Sequence, residues 1–325
     1  MKIFDLHADT LMDVANRMDL GETDVLARFH RPQYEQGQIG GLIYAFWMTN
    51  EEEVFEEYLP IPPKNAQDLF IRLLGRTWQE FQMTDTVEPA RTADDLDRIS
   101  GAGKIPVLLG LEGFYPFHGE VGMIDVVYDL GFRHGMLTWN DDNEFAAGVE
   151  FSGKDYGLTA QGIAAVRRME ELHMLIDVSH ASDQTFRDIM EQTSGPVIAS
   201  HSNARALCPS PRNLTDDQIR AIAGRGGVIG LNTWKGFICE DENKATVREL
   251  AAHARYIADL AGPEHVACGF DFCDYFDEDD GTPGIRNAAE SQNFIRALAD
   301  EGFTKKEQQM IAWDNAIRLI RTVLE

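Results

Sequence analysis

Basic residues are scarce in this sequence. Lysine and arginine together number 29 against 54 aspartates and glutamates, giving a formal net charge of −25 over 325 residues. Such a field repels phosphate backbones and anionic lipid surfaces, which makes nucleic acid and membranes poor partners. A divalent cation, or a substrate without net charge, suits it better. Cysteine is sparse too: Cys208, Cys239, Cys268 and Cys273 form no CxxC pair and no dense framework. In a chain of this size that favours reduced thiols in a reducing compartment. No stretch approaches about 18 consecutive apolar residues, and no basic region with an apolar run and a cleavage site opens the chain. The cytoplasm is therefore the expected location. Low-complexity tracts, a Pro/Ser-rich linker and internal repeats are also missing, so a single domain over residues 1–325 is expected.

What is present is enough apolar residue, 44% of the chain, to bury a sizeable core. Short apolar runs about the length of a buried strand recur at 2–6, 41–47, 106–111, 135–139, 174–178, 196–200, 227–232 and 266–271. Most are apolar on both faces, as strands covered by helices on one side and packed inside a barrel on the other should be. Amphipathic segments lie between them at 65–82, 159–173, 182–192, 215–226 and 246–262. Ser182 and Asp183 suit the start of the third and Thr215 caps the fourth, which glycine stops. Two or three closing helices follow the last strand, and the acidic run 274–284 reads as a loop. Eight strands alternating with helices predict an α/β fold, a (β/α)8 TIM-like barrel with extra C-terminal helices.

Barrel enzymes gather their chemistry at the C-terminal strand ends. After the first apolar run come His7 and Asp9; Glu112 ends the third, His180 follows the fifth, His201 the sixth and Asp271 the eighth. Each has an ordinary explanation taken singly, since a His-x-Asp pair near a strand end is more often polar decoration than a metal site. Together, three imidazoles and several carboxylates on one rim make a mixed N/O set suited to Zn²⁺ or a similar ion, and the lack of thiolates argues against a closed structural zinc. Five ligands of both kinds suggest two ions with one carboxylate bridging them. A pair about 3.5–4 Å apart can hold a hydroxide and polarise a carbonyl, which is equipment for amide hydrolysis. Asp271, left over after the ligands are assigned, could carry the proton to the departing amine, or orient a ligand histidine instead. Arg212, eleven residues after His201 and just before a helix, could clamp a carboxylate with two parallel hydrogen bonds, or pair with Asp216 or Asp217.

The set "DLHADT", "GLEG", "DVSH", "SHSNARALCPSPRNLTDDQI" and "GFDF", in this order, resembles the renal (membrane) dipeptidase family, binuclear zinc barrels of the amidohydrolase type. The resemblance runs from about residue 3 to the closing "DNAIRLI". It implies two Zn²⁺ ions per chain, one held by His7, Asp9 and a bridging Glu112, the other by Glu112, His180 and His201. It further implies that Arg212 binds the terminal carboxylate of a zwitterionic dipeptide, that Asp271 is the general acid/base, and that the chain dimerises. One departure stands out: many members carry a histidine in a "TLTH" segment after the fourth strand, where this chain has "GMLTWND" and hence Trp139. A bulky ring with one N–H in that place bears on substrate range.

Zinc-dependent hydrolysis of short L,L and L,D peptides is the leading expectation. A related amidohydrolase acting on N-acyl amino acids or lactones, and a catalytically silent metal-binding barrel, are the alternatives. Other features read as bland. His30, His118, His134, His173, His253 and His265 are expected on the surface or in packing. The glycines of "SGAGKIP" precede a strand rather than a helix and so fail as a phosphate loop. "DEDDG" (277–281) lacks a calcium-loop pattern.

Overall fold

The computed structural model describes residues 1–51, 59–276 and 281–324. The part of the acidic run at 277–280 lies outside the described residues. Nine parallel strands form one sheet: β1 (Ile3–Ala8), β2 (Ile39–Trp47), β3 (Val87–Pro89), β4 (Ile105–Glu112), β5 (Phe132–Met136), β6 (Leu175–Ile176), β7 (Ile198–Ala199), β8 (Val228–Leu231) and β9 (Val266–Cys268). Their order is β6-β5-β4-β2-β1-β9-β8-β7, with β3 attached beside β4. A parallel bridge between Asp177 and Ile198 joins the two ends, giving a nearly closed barrel of eight strands. All eight expected strands are present; β3, too short to stand out from its surroundings, is additional.

Barrel closure follows from the two-faced apolar strands. One side of nearly every strand fills the interior: Phe4, Leu6, Ile43, Leu108, Leu175, Ile198, Val228 and Ala267 form one buried cluster. Leu319, Ile320 and Val323 of the closing helix Asn315–Val323 join that cluster and plug the barrel. The other side of the strands, including Ile3, Leu42, Tyr44, Phe46, Val107, Leu109 and Leu111, packs against the surrounding helices in a larger cluster. Helices Ala66–Met83, Ala160–Glu171, Asp183–Gln192, Asp216–Gly224 and Val247–Ala261 fall where the periodicity puts them. The caps are made as expected: Ser182 Oγ accepts from Thr185 N, and Thr215 completes a capping box with Gln218. Among the described helices none is long and apolar enough to cross a membrane.

One expectation needs correction. The fourth barrel strand runs Phe132–Met136 rather than 135–139, because Gly131, at φ +109°, ends the preceding helix in the left-handed conformation and the strand starts at once. Its polar residues hid it: the Arg133 guanidinium donates to backbone carbonyls of Arg91, Tyr128 and Phe132. His134 is therefore a mid-strand residue and fully buried, its Nε2 2.7 Å from Asp177 Oδ2. Gly110 makes room for it, since a Cβ there would stand 2.2 Å from His134 Nδ1. His253 is also interior: Nδ1 accepts from Ala204 N and Nε2 is hydrogen-bonded to Ile238 O.

Candidate metal centre

At the C-terminal rim the six groups from β1, β4, β6, β7 and β9 converge. Glu112 sits in the middle. Its Oε2 lies 3.2 Å from His7 Nε2, and its Oε1 lies 3.0 Å from His180 Nε2 and 3.6 Å from His201 Nε2. Asp9 Oδ2 and Asp271 Oδ1 approach His7 Nε2 at 3.7 and 3.8 Å. Asp271 thus stands beside the His7 end of the cluster, within reach of the same atoms. Two overlapping sets, His7 with Glu112 and His201, and His7 with Asp9 and Asp271, bring their ligand atoms within 4.8 Å of one another.

The imidazoles are aimed by their other nitrogens. His180 Nδ1 is 2.8 Å from Asn140 Oδ1, and His201 Nδ1 is 2.8 Å from Ser200 Oγ. With Nδ1–H directed at these oxygens, the Nε2 lone pairs of both rings face each other across 2.9 Å. Burial, with Arg212 and His7 adding to it, holds the pKa of His180 well below the ordinary value; burial with His7 and Arg212 does the same for His201. His7 behaves oppositely: burial works against its charge, but Glu112 and Asp9 outweigh it and raise its pKa well above the usual range. Burial pushes Glu112 up to about 7 and raises Asp271 as well.

Protons alone leave this cluster poorly satisfied. His7 Nε2, Asp9 Oδ1 and Glu112 Oε2 are buried without a hydrogen-bond partner. Buried polar atoms in that condition are costly and uncommon. Divalent cations resolve the conflict, since they favour neutral imidazole and ionised carboxylate together. The donor set, nitrogens and oxygens with no thiolate among them, fits a zinc-like ion.

Backbone strain marks the same place. His180 and Asp271 adopt left-handed φ values of +62° and +56°, rare for side chains of this kind. Asn232 Nδ2 donates to Asp271 Oδ2 at 2.9 Å, and its backbone N–H donates to Asn203 Oδ1. Asn213 Oδ1 accepts from Asn203 N, while its own amide group holds the carbonyls of Cys208 and Phe237. This asparagine network ties the Arg212 loop to Asp271.

Arg212 itself is buried. Its Nη2 lies 3.4 Å from the His201 carbonyl, its guanidinium carbon is 5.3 Å from the Phe237 ring centre, and its Nε has no partner. No ion pair to Asp216 or Asp217 forms; Arg220 takes both. Burial lowers its pKa to about 10, which leaves it cationic at neutral pH. Arg212, Glu112, His180 and Asp271 line one cavity of about 810 Å³, whose aromatic wall includes Trp47 and Trp139. Those two indoles meet edge to face at 5.4 Å, and Trp139 stands 6.1 Å from the His180 ring.

Asn140, Ser200, Asn203, Asn213 and Asn232 are absent from the residues singled out in the sequence. A signal existed for Asn232, which ends the apolar run 227–232 as the other rim residues end theirs. Ordinary polar residues with partners 29 to 40 positions away, as Asn203 and Asn140 have, offer no comparable pattern.

A (β/α)8 barrel with a mixed N/O donor cluster on its C-terminal rim defines a metal-dependent hydrolase of the barrel type. The chain belongs to the membrane dipeptidase family (Peptidase family M19), whose model matches residues 1–325, and is a metallo-dipeptidase. It is 33% identical over 240 residues, 71% of this chain and 87% of the relative, to a Klebsiella pneumoniae protein described as uncharacterized and in the pqqA 5′ region. To the dipeptidase aclJ of Aspergillus oryzae it is 28% identical over 301 residues, 90% of this chain and 69% of that one. A metallo peptidase from Rhodobacter sphaeroides, liganded with a phosphinate mimic of the dipeptide L-Ala-D-Ala, superposes with a TM-score of 0.86 at 22% identity. That match covers 99% of each chain.

Proposed function

We propose that the chain hydrolyses dipeptides at a pair of zinc ions, His7, Asp9 and Glu112 holding one and Glu112, His180 and His201 the other. The observation that carries this reading is Glu112, whose two carboxylate oxygens face His7 on one side and the His180–His201 pair on the other. Bound there, the ions would supply Lewis acidity and lower the pKa of water to the neutral range. The chain's own groups do the rest. Arg212 binds the substrate's terminal carboxylate, Asp271 accepts a proton at its carboxylate and returns it to the leaving amine, and the Trp47–Trp139 wall gives the substrate an apolar face to pack on.

Zinc-reconstituted protein should cleave members of a broad L,L and L,D dipeptide panel; no turnover on any of them would sink the reading. The size of the cavity keeps a second reading in play, because it has room for an acyl group in place of the first residue. Faster turnover of N-acyl amino acids than of dipeptides in the same assay would favour it.

Arg212 yields a separate expectation. Its methionine variant should raise KM for dipeptides by about 10²-fold, or about 3 kcal/mol, with kcat changed far less, since carboxylate binding is equal in ground and transition states. Dipeptide amides, lacking the carboxylate, should be cleaved at nearly the same rate by both proteins. An equal fall on amides would mean that the arginine only holds the loop.

A further inference from the structure

The barrel has two weak seams. Between β1 and β9 one residue pair, Asp5 with Cys268, is in register, and between β6 and β7 the bridge from Asp177 to Ile198 is the connection. These four strands deliver His7, Asp9, His180, His201 and Asp271. A rim with so few ladder hydrogen bonds needs other means to hold side chains in place.

Each seam is closed by a buried carboxylate in the same way. Asp5 Oδ1 accepts the N–H of His7, two residues on, at 3.3 Å and the N–H of Phe270 across the seam at 2.8 Å. Asp177 Oδ1 accepts the N–H of Ser179, two residues on, at 2.9 Å and the N–H of Ser200 across its seam at 3.1 Å. Neither carboxylate belongs to the two sets of grouped ligand atoms. The amides they hold belong to, or directly precede, its members: His7 itself, Asp271 after Phe270, His180 after Ser179 and His201 after Ser200. Both left-handed rim residues, His180 and Asp271, come immediately after a tethered amide. Such backbone persists only where its surroundings over-determine it. Asp177 is itself fixed by His134 Nε2 on its second oxygen.

We propose that Asp5 and Asp177 are positioning residues, each governing one end of the metal centre: Asp177 the His180–His201 end, Asp5 the His7 end. The division rests on the two-ion reading above. Outer hydrogen-bond partners of this kind are worth about 10–100-fold in metal affinity. A carboxylate that served general stability would affect both ends alike.

Zn²⁺ dissociation constants and ions bound per chain, measured by chelator competition without substrate, separate these cases. Asp177→Leu, which fills similar space without an acceptor, is expected to weaken one ion by about 10–100-fold and leave the other unchanged. Asp177→Asn keeps an oxygen for both amides and should restore most of the affinity. In a His7→Ala background, which retains the other ion, Asp177→Leu should weaken the one that remains; in a His201→Ala background it should change nothing further. Asp5→Leu should give the mirror pattern. Should the leucine chain not fold, Asp177→Ser, too short to span both amides, is expected to give the same one-ended loss. Equal weakening of both ions, weakening of neither, or an asparagine variant as weak as leucine would overturn the assignment. Unaltered protein that binds fewer than two ions would instead fail the two-ion reading itself, before any variant is compared.

Discussion

Replacing Glu112 with Gln is expected to lower kcat/KM on dipeptides by on the order of 10⁴-fold, about 5 kcal/mol, and to reduce bound zinc at both ends of the centre. Both oxygens of this carboxylate face imidazole nitrogens, Oε2 that of His7 and Oε1 those of His180 and His201. An amide keeps the shape but offers one neutral oxygen and an N–H pair, which would point a donor at the place where a cation must sit. On the proposed two-ion reading, the loss is therefore expected at both ions and not at one. Zinc analysis beside steady-state kinetics checks it. A variant that retains both ions and loses activity would make Glu112 a proton carrier, and one that loses a single ion would remove its bridging role.

Asp271→Asn is the second large effect: turnover should fall by about 10²–10⁴-fold while zinc content stays the same. Burial raises the pKa of Asp271 and the amide of Asn232 fixes Oδ2, so Oδ1 is the oxygen free to exchange a proton. Asparagine preserves the contact with Asn232 only by turning its oxygen that way, which leaves an N–H where the proton must be received. The geometry makes the zinc measurement decisive, because Asp271 Oδ1 lies 3.8 Å from His7 Nε2, nearly as close as Asp9. Loss of one ion on substitution would move Asp271 among the ligands.

The barrel was legible because its strands are apolar on two faces, a pattern that neither surface strands nor surface helices share. What hid was wherever a polar side chain stands in for a ladder bond. The run 174–178 shortens to Leu175–Ile176, with Asp177 continuing as a single bridge to Ile198, and the run at 196–200 shortens to Ile198–Ala199 at the same seam. Phe132–Met136 hid behind Arg133 and His134, whose polar groups are met by backbone carbonyls and by Asp177. At the rim, residue type and strand position singled out His7, Asp9, Glu112, His180, His201 and Asp271, and its spacing from His201 singled out Arg212; the fold brings all seven to one place. Position along the chain did not show the distances among them, such as the 3.8 Å between Asp271 Oδ1 and His7 Nε2. Nor did it show the amides of Asn140 and Asn232, whose partners lie 40 and 39 positions away in sequence.

The seam between β1 and β9 also orders events in time. Asp5 holds Phe270 from a distance of 265 positions, and no shorter loop brings Asp271 to His7. Contacts of such long range are expected to form late, after most of the helices and the β2–β4 ladder have assembled. Until then the first strand, with His7 and Asp9 on it, has an unpaired edge and a ligand set that is incomplete. Zinc affinity should therefore rise in one late step of refolding, as the last strand docks, making ion uptake a direct clock for closure of the barrel.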